Sequence, residues 1–513
     1  MEKEASLEAL RNRVAPIEIS SNDFREIGHR LVDDVADFLS SLPQRPVAPG
    51  KTAVEIRSEL GDASLQESGT PPAQLLEEAT GLLFDNSLLN GHPRFWGYIT
   101  SSAAPIGALG DLLASAVNPN VGGWSLSPMA SEIEAQTVRW IADLIGFPTN
   151  TGGLLVSGGN TANFVGFLAA RRKKLGAEVR TKGTGYSGEG QPRVYGSAGT
   201  HTWIEKAADQ YGIGTDSIRW IDTHEGQQMD LAALRQQIEH DKNNGDAPFL
   251  VVGTGGSTGF GAVDDLPGIA AICRENNLWF HVDGAYGGLA ACSPLAPADL
   301  RGLSEADSIA IDPHKWLYSA LEAGCALVRD PQDLLDTFSY HPTYYKFDYE
   351  GAEERAGPSY YEFGPQNSRG FRALKVWLGL RQVGREGYVR MISDDIRLSE
   401  HLYGAVEKHP NLEAFTQNLS ITTFRYVPSD LTPGSTEVEE YLSTLNEALL
   451  TEVQEGGEAF VSNAVMGEKY LLRACIVNFR TSVEDVEALP EIVARIGSSV
   501  DATIRSEQLT EPT

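Results

Sequence analysis

Apolar positions recur along this chain with two different periods, and the change of period divides it. Phe24, Ile27, Leu31, Val35 and Phe38 repeat at three- to four-residue spacing. That spacing predicts a helix with one apolar face. Proline cannot continue such a helix, and the stretch from Pro43 to Gly50 breaks the stripe. From about residue 106 the rhythm becomes short apolar runs alternating with helical segments. Phe249–Gly253, Leu278–Val282 and Ser308–Ile311 have the length and β-branched content of buried strands. Asp265-Leu266-Pro267 reads as a helix start, an N-cap followed by proline. Strands separated by helices predict parallel pairing with helices on both faces. Beyond about 391, Ile421–Tyr426 and Leu471–Val477 read as strands of a smaller region. The expectation is an α/β protein in three parts: a helical arm over 1–105, a large domain with a largely parallel central sheet over 106–390, and a small α/β domain over 391–513.

Composition sets bounds on this picture. A chain of 513 residues exceeds what one core usually holds. A net charge of −29 argues against nucleic acid and anionic membrane surfaces as partners. No apolar run is long enough to cross a bilayer, and Asp111 interrupts the best candidate. The start, Met-Glu-Lys-Glu, lacks a signal peptide's apolar centre. Cys273, Cys292, Cys325 and Cys475 show neither CxxC nor zinc spacing. No metal is expected, and a cytoplasmic location is.

Four strand or helix ends carry candidate chemistry. Ser308–Ile311 runs into Asp312-Pro313-His314-Lys315-Trp316. A strand-end lysine is most often a surface residue, but one held between two aromatic side chains is costly as an ammonium and becomes a usable amine nucleophile. The strand before it ends in Asp283, followed by Gly284 and Ala285. Open α/β sheets bind ligands at such carboxyl ends. Gly152–Val156 passes through Ser157, Gly158, Gly159, Asn160 and Thr161 into a helix. Small residues at a helix start cradle a phosphate, whereas the Walker lysine of an NTPase is missing. His201 stands where another helix begins, and a flat imidazole stacks on an aromatic ring. Each feature alone has an ordinary structural explanation. Together an amine, an acid, an anion cradle and a stacking ring are the parts of a site for pyridoxal phosphate (PLP). The lysine forms the Schiff base, Asp283 keeps the pyridine nitrogen protonated, and Ala285 lets the ring lie flat.

In order along the chain these segments resemble the group II PLP-dependent decarboxylases, specifically the aromatic-L-amino-acid decarboxylase branch. The motifs are Asp312–Trp316, His281–Tyr286, Gly199–Ala208 and the Gly158-Gly159 turn. Gly91–Tyr98 and Arg369–Trp377 match as well, so the likeness spans roughly 20 to 480. The resemblance implies PLP fold type I, the aspartate-aminotransferase-like architecture. It also implies a homodimer with active sites at the subunit interface, to which the N-terminal arm contributes. Thr258 matches a threonine beside the cofactor's ring oxygen, and Gly159, Asn160 and His314 match phosphate-side positions. Asp312 departs from the asparagine often found there. Tyr98, Phe95, Trp96, Ser101 and Trp124 are candidate substrate-pocket residues. A mobile loop over 343–364 is expected as a lid, and alignment on Phe371-Arg372 puts Tyr360 in the proton-donor position, with Tyr361 adjacent.

The implied activity is decarboxylation of an aromatic L-amino acid to its amine. The alternatives are a glutamate- or sulfinate-type decarboxylase, an aromatic aldehyde synthase, another fold-type I enzyme such as an aminotransferase or desulfurase, and a non-catalytic scaffold. Within this branch a tyrosine at the lid position favours the amine over the aldehyde.

Overall fold

The structure, a computed structural model, describes residues 2–184, 190–224, 227–340 and 357–510. It contains two compact units, Met1–Leu89 and Asn90–Thr513. In the first, the helix Ser21–Ser41 is capped by Ser20, whose side chain accepts from the Asp23 amide. The helix carries the apolar stripe but buries none of its residues. Phe38 stacks on Phe84 at 4.0 Å within this unit, and the chain turns at Leu42–Gln44, where the prolines begin.

The second unit is built on a seven-stranded sheet in the order β1-β7-β6-β5-β4-β2-β3. In chain order these are β1 Gly152–Val156, β2 Pro192–Ser197, β3 Ile218–Ile221, β4 Ala247–Thr254, β5 Trp279–Asp283, β6 Ser308–Ile311 and β7 Gly324–Val328. β2 to β6 pair in parallel, and β7 runs antiparallel to both its neighbours. The sheet is therefore largely parallel, as the alternating pattern implied. Two-residue periodicity sorts its side chains into two cores. Val251, Phe280, Val282, Ile309 and Ile311 join one, packed against the helices Pro128–Leu144, Leu266–Asn276 and Ala373–Lys408. Leu250, Val252 and Ala310 join the other, against the helices Gly159–Lys174 and Trp203–Gln210. Asp265 caps its helix as its position predicted, accepting from the Gly268 amide at 2.9 Å.

A four-stranded antiparallel sheet, order β10-β11-β9-β8, lies in the same unit. Its strands are β8 Leu412–Asn418, β9 Ile421–Tyr426, β10 Ser462–Met466 and β11 Lys469–Cys475. The helices Thr436–Glu455 and Val483–Thr510 complete its core. Residues 90–105 also belong to this unit. Among the described residues no helix is long and apolar enough to cross a membrane.

Candidate active site

β4, β5 and β6 end side by side, with Thr254 paired to Asp283 and Asp283 to Ala310. The loops leaving those ends, with the turn after β1, enclose a cavity of about 330 Å³. It lies at the carboxyl edge of the sheet, where this architecture places ligands. Lys315, Asp283, His201, Ala285, Thr258, Gly158, Gly159, Asn160, Thr161 and His314 all line it. Segments more than 150 residues apart in sequence are thus brought to one place.

Asp283 is held by neutral donors. Its Oδ2 accepts from Trp203 Nε1 at 2.8 Å, and its Oδ1 accepts from the Ala285 amide at 3.2 Å. Behind it His281 is fully buried, with Nε2 2.7 Å from Asn163 Oδ1 and Nδ1 2.7 Å from Ser308 Oγ. Burial drives the His281 pKa down to about 4, so this ring is neutral at ordinary pH and props the strand without competing as a cation. The Trp203 ring meets His281 edge-on at 5.5 Å. The carboxylate therefore cannot swing away without breaking a packed, hydrogen-bonded layer.

At the opposite end, Gly158 adopts φ 147°, which side chains disfavour. A Cβ on Gly324 would lie 2.6 Å from the Gly158 backbone. A Cβ on Gly159 would lie 2.8 Å from Asp312 Oδ2 and 3.1 Å from Ala285 Cβ, so any side chain there would fill the cavity floor. The helix Gly159–Lys174 starts at this turn and aims unsatisfied amides at the opening. Ser157 Oγ and Thr161 Oγ1 lie 3.0 Å apart beside it.

Lys315 Nζ reaches the same floor, 3.0 Å from Asp312 Oδ2. Its loop is fastened on both sides. His314 Nδ1 accepts from the Ala323 amide at 3.2 Å, and the His314 carbonyl accepts from Ser101 Oγ at 2.8 Å. Trp316 is buried, donating to Asp395 Oδ2 at 3.2 Å, and Tyr318 donates to the same oxygen at 2.7 Å. Burial raises the Asp395 pKa to about 8. His201 sits exposed at the cavity mouth; its Nδ1 accepts from the Trp203 amide at 3.3 Å. Desolvation draws its pKa below the ordinary imidazole range, as it does for His314.

Comparison with known sequences agrees with this geometry. The pyridoxal-dependent decarboxylase conserved domain matches residues 55–427. The chain belongs to this family. An aromatic-L-amino-acid decarboxylase from Bacillus atrophaeus is 32% identical over 92% of this chain and 94% of its own length. Among solved structures, Oryza sativa TDC with PLP and tryptamine superposes with a TM-score of 0.86, at 26% identity, over 95% of this chain and 99% of that one. Rhodiola rosea 4-hydroxyphenylacetaldehyde synthase superposes at 0.82, also at 26% identity, over 94% and 99%. The enzyme is a carboxy-lyase, its cofactor is PLP, and its fold is the expected fold type I.

The remaining expected residues fall elsewhere in this chain. Phe95 is 2% exposed and stacks on Phe460 at 5.4 Å. Trp96 is 1% exposed, in the core of the small sheet, and donates to Thr481 Oγ1 at 3.1 Å. Both are packing residues rather than pocket walls: an apolar ring this size is most stable where it loses all its water. Ser101 acts on the His314 backbone and does not line the cavity. Tyr98 is exposed, and half-buried Trp124 donates to Glu132 Oε1 at 2.9 Å; neither lines the cavity.

Tyr360 also corrects an expectation. It is 1% exposed in the turn Tyr360–Glu362, with its hydroxyl 3.5 Å from the Ser131 carbonyl. Its ring packs edge-on against Phe363 and faces the Arg369 guanidinium at 4.8 Å. Arg369 is itself paired with buried Glu134. This phenol is a core residue with a pKa pushed far above its ordinary value by burial. Tyr361 donates its amide to the Gly122 carbonyl at 2.9 Å. Residues 341–356, most of the expected lid, lie outside the described residues.

Two contributors were not read from the sequence. In the sequence Trp203 reads only as a near neighbour of His201. Arg473 on β11 is 4% exposed and donates to the carbonyls of Thr258 and Tyr98. Its Nε has no partner, and among the described residues it pairs with no carboxylate. Its place in the strand Leu471–Val477 gave no sign of this, because an arginine alternating with apolar residues reads as solvent-facing.

Proposed function

We propose that this enzyme decarboxylates an aromatic L-amino acid of the tyrosine, dopa, tryptophan or phenylalanine type, releasing carbon dioxide and the amine. The observation that carries the reading is the convergence of Lys315, Asp283 and the Gly158-Gly159 turn on one cavity. The aromatic preference is supported by the likeness to aromatic-acid decarboxylases. The residues fit PLP at both ends. The turn leaves room and amides for a phosphate, and Asp283 offers a fixed carboxylate to a pyridinium nitrogen.

Bound PLP supplies an electron sink for the pair left when the bond from Cα to the carboxylate breaks. Lys315 Nζ is the amine that tethers the cofactor. Asp283, fixed by Trp203 and the Ala285 amide, holds the proton on the ring nitrogen. His201 stacks at the mouth and, with its pKa drawn down, is neutral near pH 7 and able to hand on a proton through Nε2. Arg473, buried and donating to the Thr258 carbonyl, fastens the loop that carries Thr258 beside the cavity.

Tyr360 does not supply the proton in this arrangement, so the tyrosine-based preference for amine loses its geometric support. That specific observation, with the likeness to an aldehyde synthase, keeps an aldehyde-forming reaction as the second reading. Carbon dioxide, amine, aldehyde and peroxide would be measured with Tyr, dopa, Trp, Phe, His and Glu, with Lys315→Ala as control. Amine without peroxide from an aromatic substrate supports the first reading, and aldehyde with stoichiometric peroxide the second. Turnover of Glu alone would overturn both.

We further propose a cytoplasmic homodimer. The helix Ser21–Ser41 buries none of its apolar stripe, and Leu109, Leu112, Leu113 and Val117 lie exposed on the helix Pro105–Val117. A second copy covering such faces removes the cost of wetting them. All four cysteines are free, in keeping with a reducing compartment. Light scattering on the purified protein tests the dimer; a monomer at micromolar concentration would reject it.

A further inference from the structure

The phosphate end of the cavity already holds a negative charge. Asp312 is 2% exposed. Its Oδ2 lies 3.0 Å from Lys315 Nζ and 3.6 Å from His314 Nε2, while its Oδ1 is buried and has no hydrogen-bond partner. The same carboxylate presses on the glycine turn, since Oδ2 stands 2.8 Å from where a Gly159 Cβ would be. The positive end of the helix Gly159–Lys174 therefore faces a built-in carboxylate at the place a phosphate must enter.

The titratable groups around Asp312 offer little to neutralise both anions. On its own loop are Lys315 and His314; across the cavity are His201 and Asp283, and on β7 is Cys325. The helix Gly159–Lys174 adds no charged side chain in its first turn. Partial desolvation at the cavity mouth disfavours His201 as a cation and burial disfavours His314, and Cys325 is a buried thiol. Lys315 is the single contacting cation among the described residues, and its charge is shared with the cofactor once PLP is attached. A phosphate dianion beside an ionised, half-satisfied carboxylate would be strongly repelled.

We propose that Asp312 is protonated whenever phosphate is bound, so that loading the cofactor takes up one proton from solvent. As a carboxylic acid it becomes a donor to the phosphate, and an oxygen that lacks a partner gains one. This rests on the PLP reading of the cavity.

The sign of the pH effect follows. A phosphate monoester loses its second proton near pH 6. Above that pH the free ligand is a dianion and Asp312 is ion-paired with Lys315 before it binds, so under the proposal the complex holds one proton more than its parts. The Kd for PLP then rises with pH, by up to tenfold per unit. Asp312→Asn has no such proton to gain. Equilibrium dialysis of PLP at pH 6.5, 7.5 and 8.5 should show the ratio of native to variant Kd growing about tenfold or more. If Asp312 serves instead to keep Lys315 charged, the ratio falls as pH rises, because lysine deprotonation then relieves the handicap. A flat or falling ratio overturns the proposal. A native-protein measurement guards against a variant that fails to fold: calorimetry with inorganic phosphate at pH 8.5 in two buffers of different ionisation enthalpy should show uptake of close to one proton per phosphate bound. No uptake overturns the proposal as well. Failure of the native protein to bind PLP at any pH would overturn the cofactor reading itself, an outcome distinct from binding without the pH slope.

Discussion

Asp283 and Asp312 end neighbouring parallel strands and are almost equally buried, at 9% and 2% exposure, yet they are solvated in opposite ways. Asp283 is held by an indole and a backbone amide, both neutral, which leaves its full charge to act on a ligand. Asp312 leans on Lys315 and has one oxygen with nothing bound to it. The first is a preorganised charge whose supporting shell is complete before any ligand arrives. The second is incomplete and is finished by what enters the cavity. Burial alone does not give a carboxylate its role; the identity of its donors does.

The strongest way to break the comparison is to remove the amine between the two ends. Lys315→Ala is expected to lower decarboxylation by about 10⁴-fold or more, measured as carbon dioxide release at saturating PLP. Residual activity within tenfold of native would mean that Lys315 is only a partner of Asp312. Asp283→Asn keeps the shape and removes the charge, and a loss of about 10³-fold in kcat is expected. An equal loss in Asp283→Ala and Asp283→Glu, with the asparagine variant active, would assign Asp283 to packing instead.

Trp203→Phe leaves the ring against His281 but deletes the donor to Asp283. A hydrogen bond to a charged group contributes about 1.5–3 kcal/mol, so kcat is expected to fall about tenfold or more with the thermal midpoint little changed. An unchanged kcat would show that the Ala285 amide suffices.

Asp395 supplies a calibration, a carboxylate buried behind Trp316 with no contacting cation among the described residues. Its folded pKa, about 8, lies above that of the unfolded chain. The folded state therefore holds a proton that the unfolded state has lost, and its contribution to stability declines as pH rises from about 4 to 8. Asp395→Asn should gain stability relative to the native protein between pH 5 and 8, seen as a growing difference in urea midpoint. A pH-independent difference would contradict the burial argument. The smallest effect is expected at Phe95→Leu, about 1 kcal/mol in stability with KM unchanged. A large rise in KM would return Phe95 to the substrate pocket.

Much of the site was legible because its signals are local. A strand with period two that stops at Asp283, or at Pro313 before Lys315, places a side chain at a sheet edge whatever the rest of the chain does. The Gly158-Gly159 turn was legible for the same reason, because φ 147° and a crowded floor admit little else. Trp203 and Arg473 were not, since their partners lie 80 and 215 residues away, and nothing in the spacing of either says which strand it will meet. Phe95, Trp96 and Tyr360 were misplaced by a related cause. An aromatic side chain near a functional motif is as suitable for a core as for a pocket, and only packing decides between them.

The sequence by itself determined the strands, the helix starts, the glycine turn and the order of the chemical groups, because each rests on a few neighbouring residues and their backbone preferences. Tertiary structure alone decided which of those groups share a cavity, which aromatic rings lose contact with it, and how each carboxylate is solvated. Those outcomes depend on distances between segments far apart in the chain, set when the two cores close on either face of the sheet.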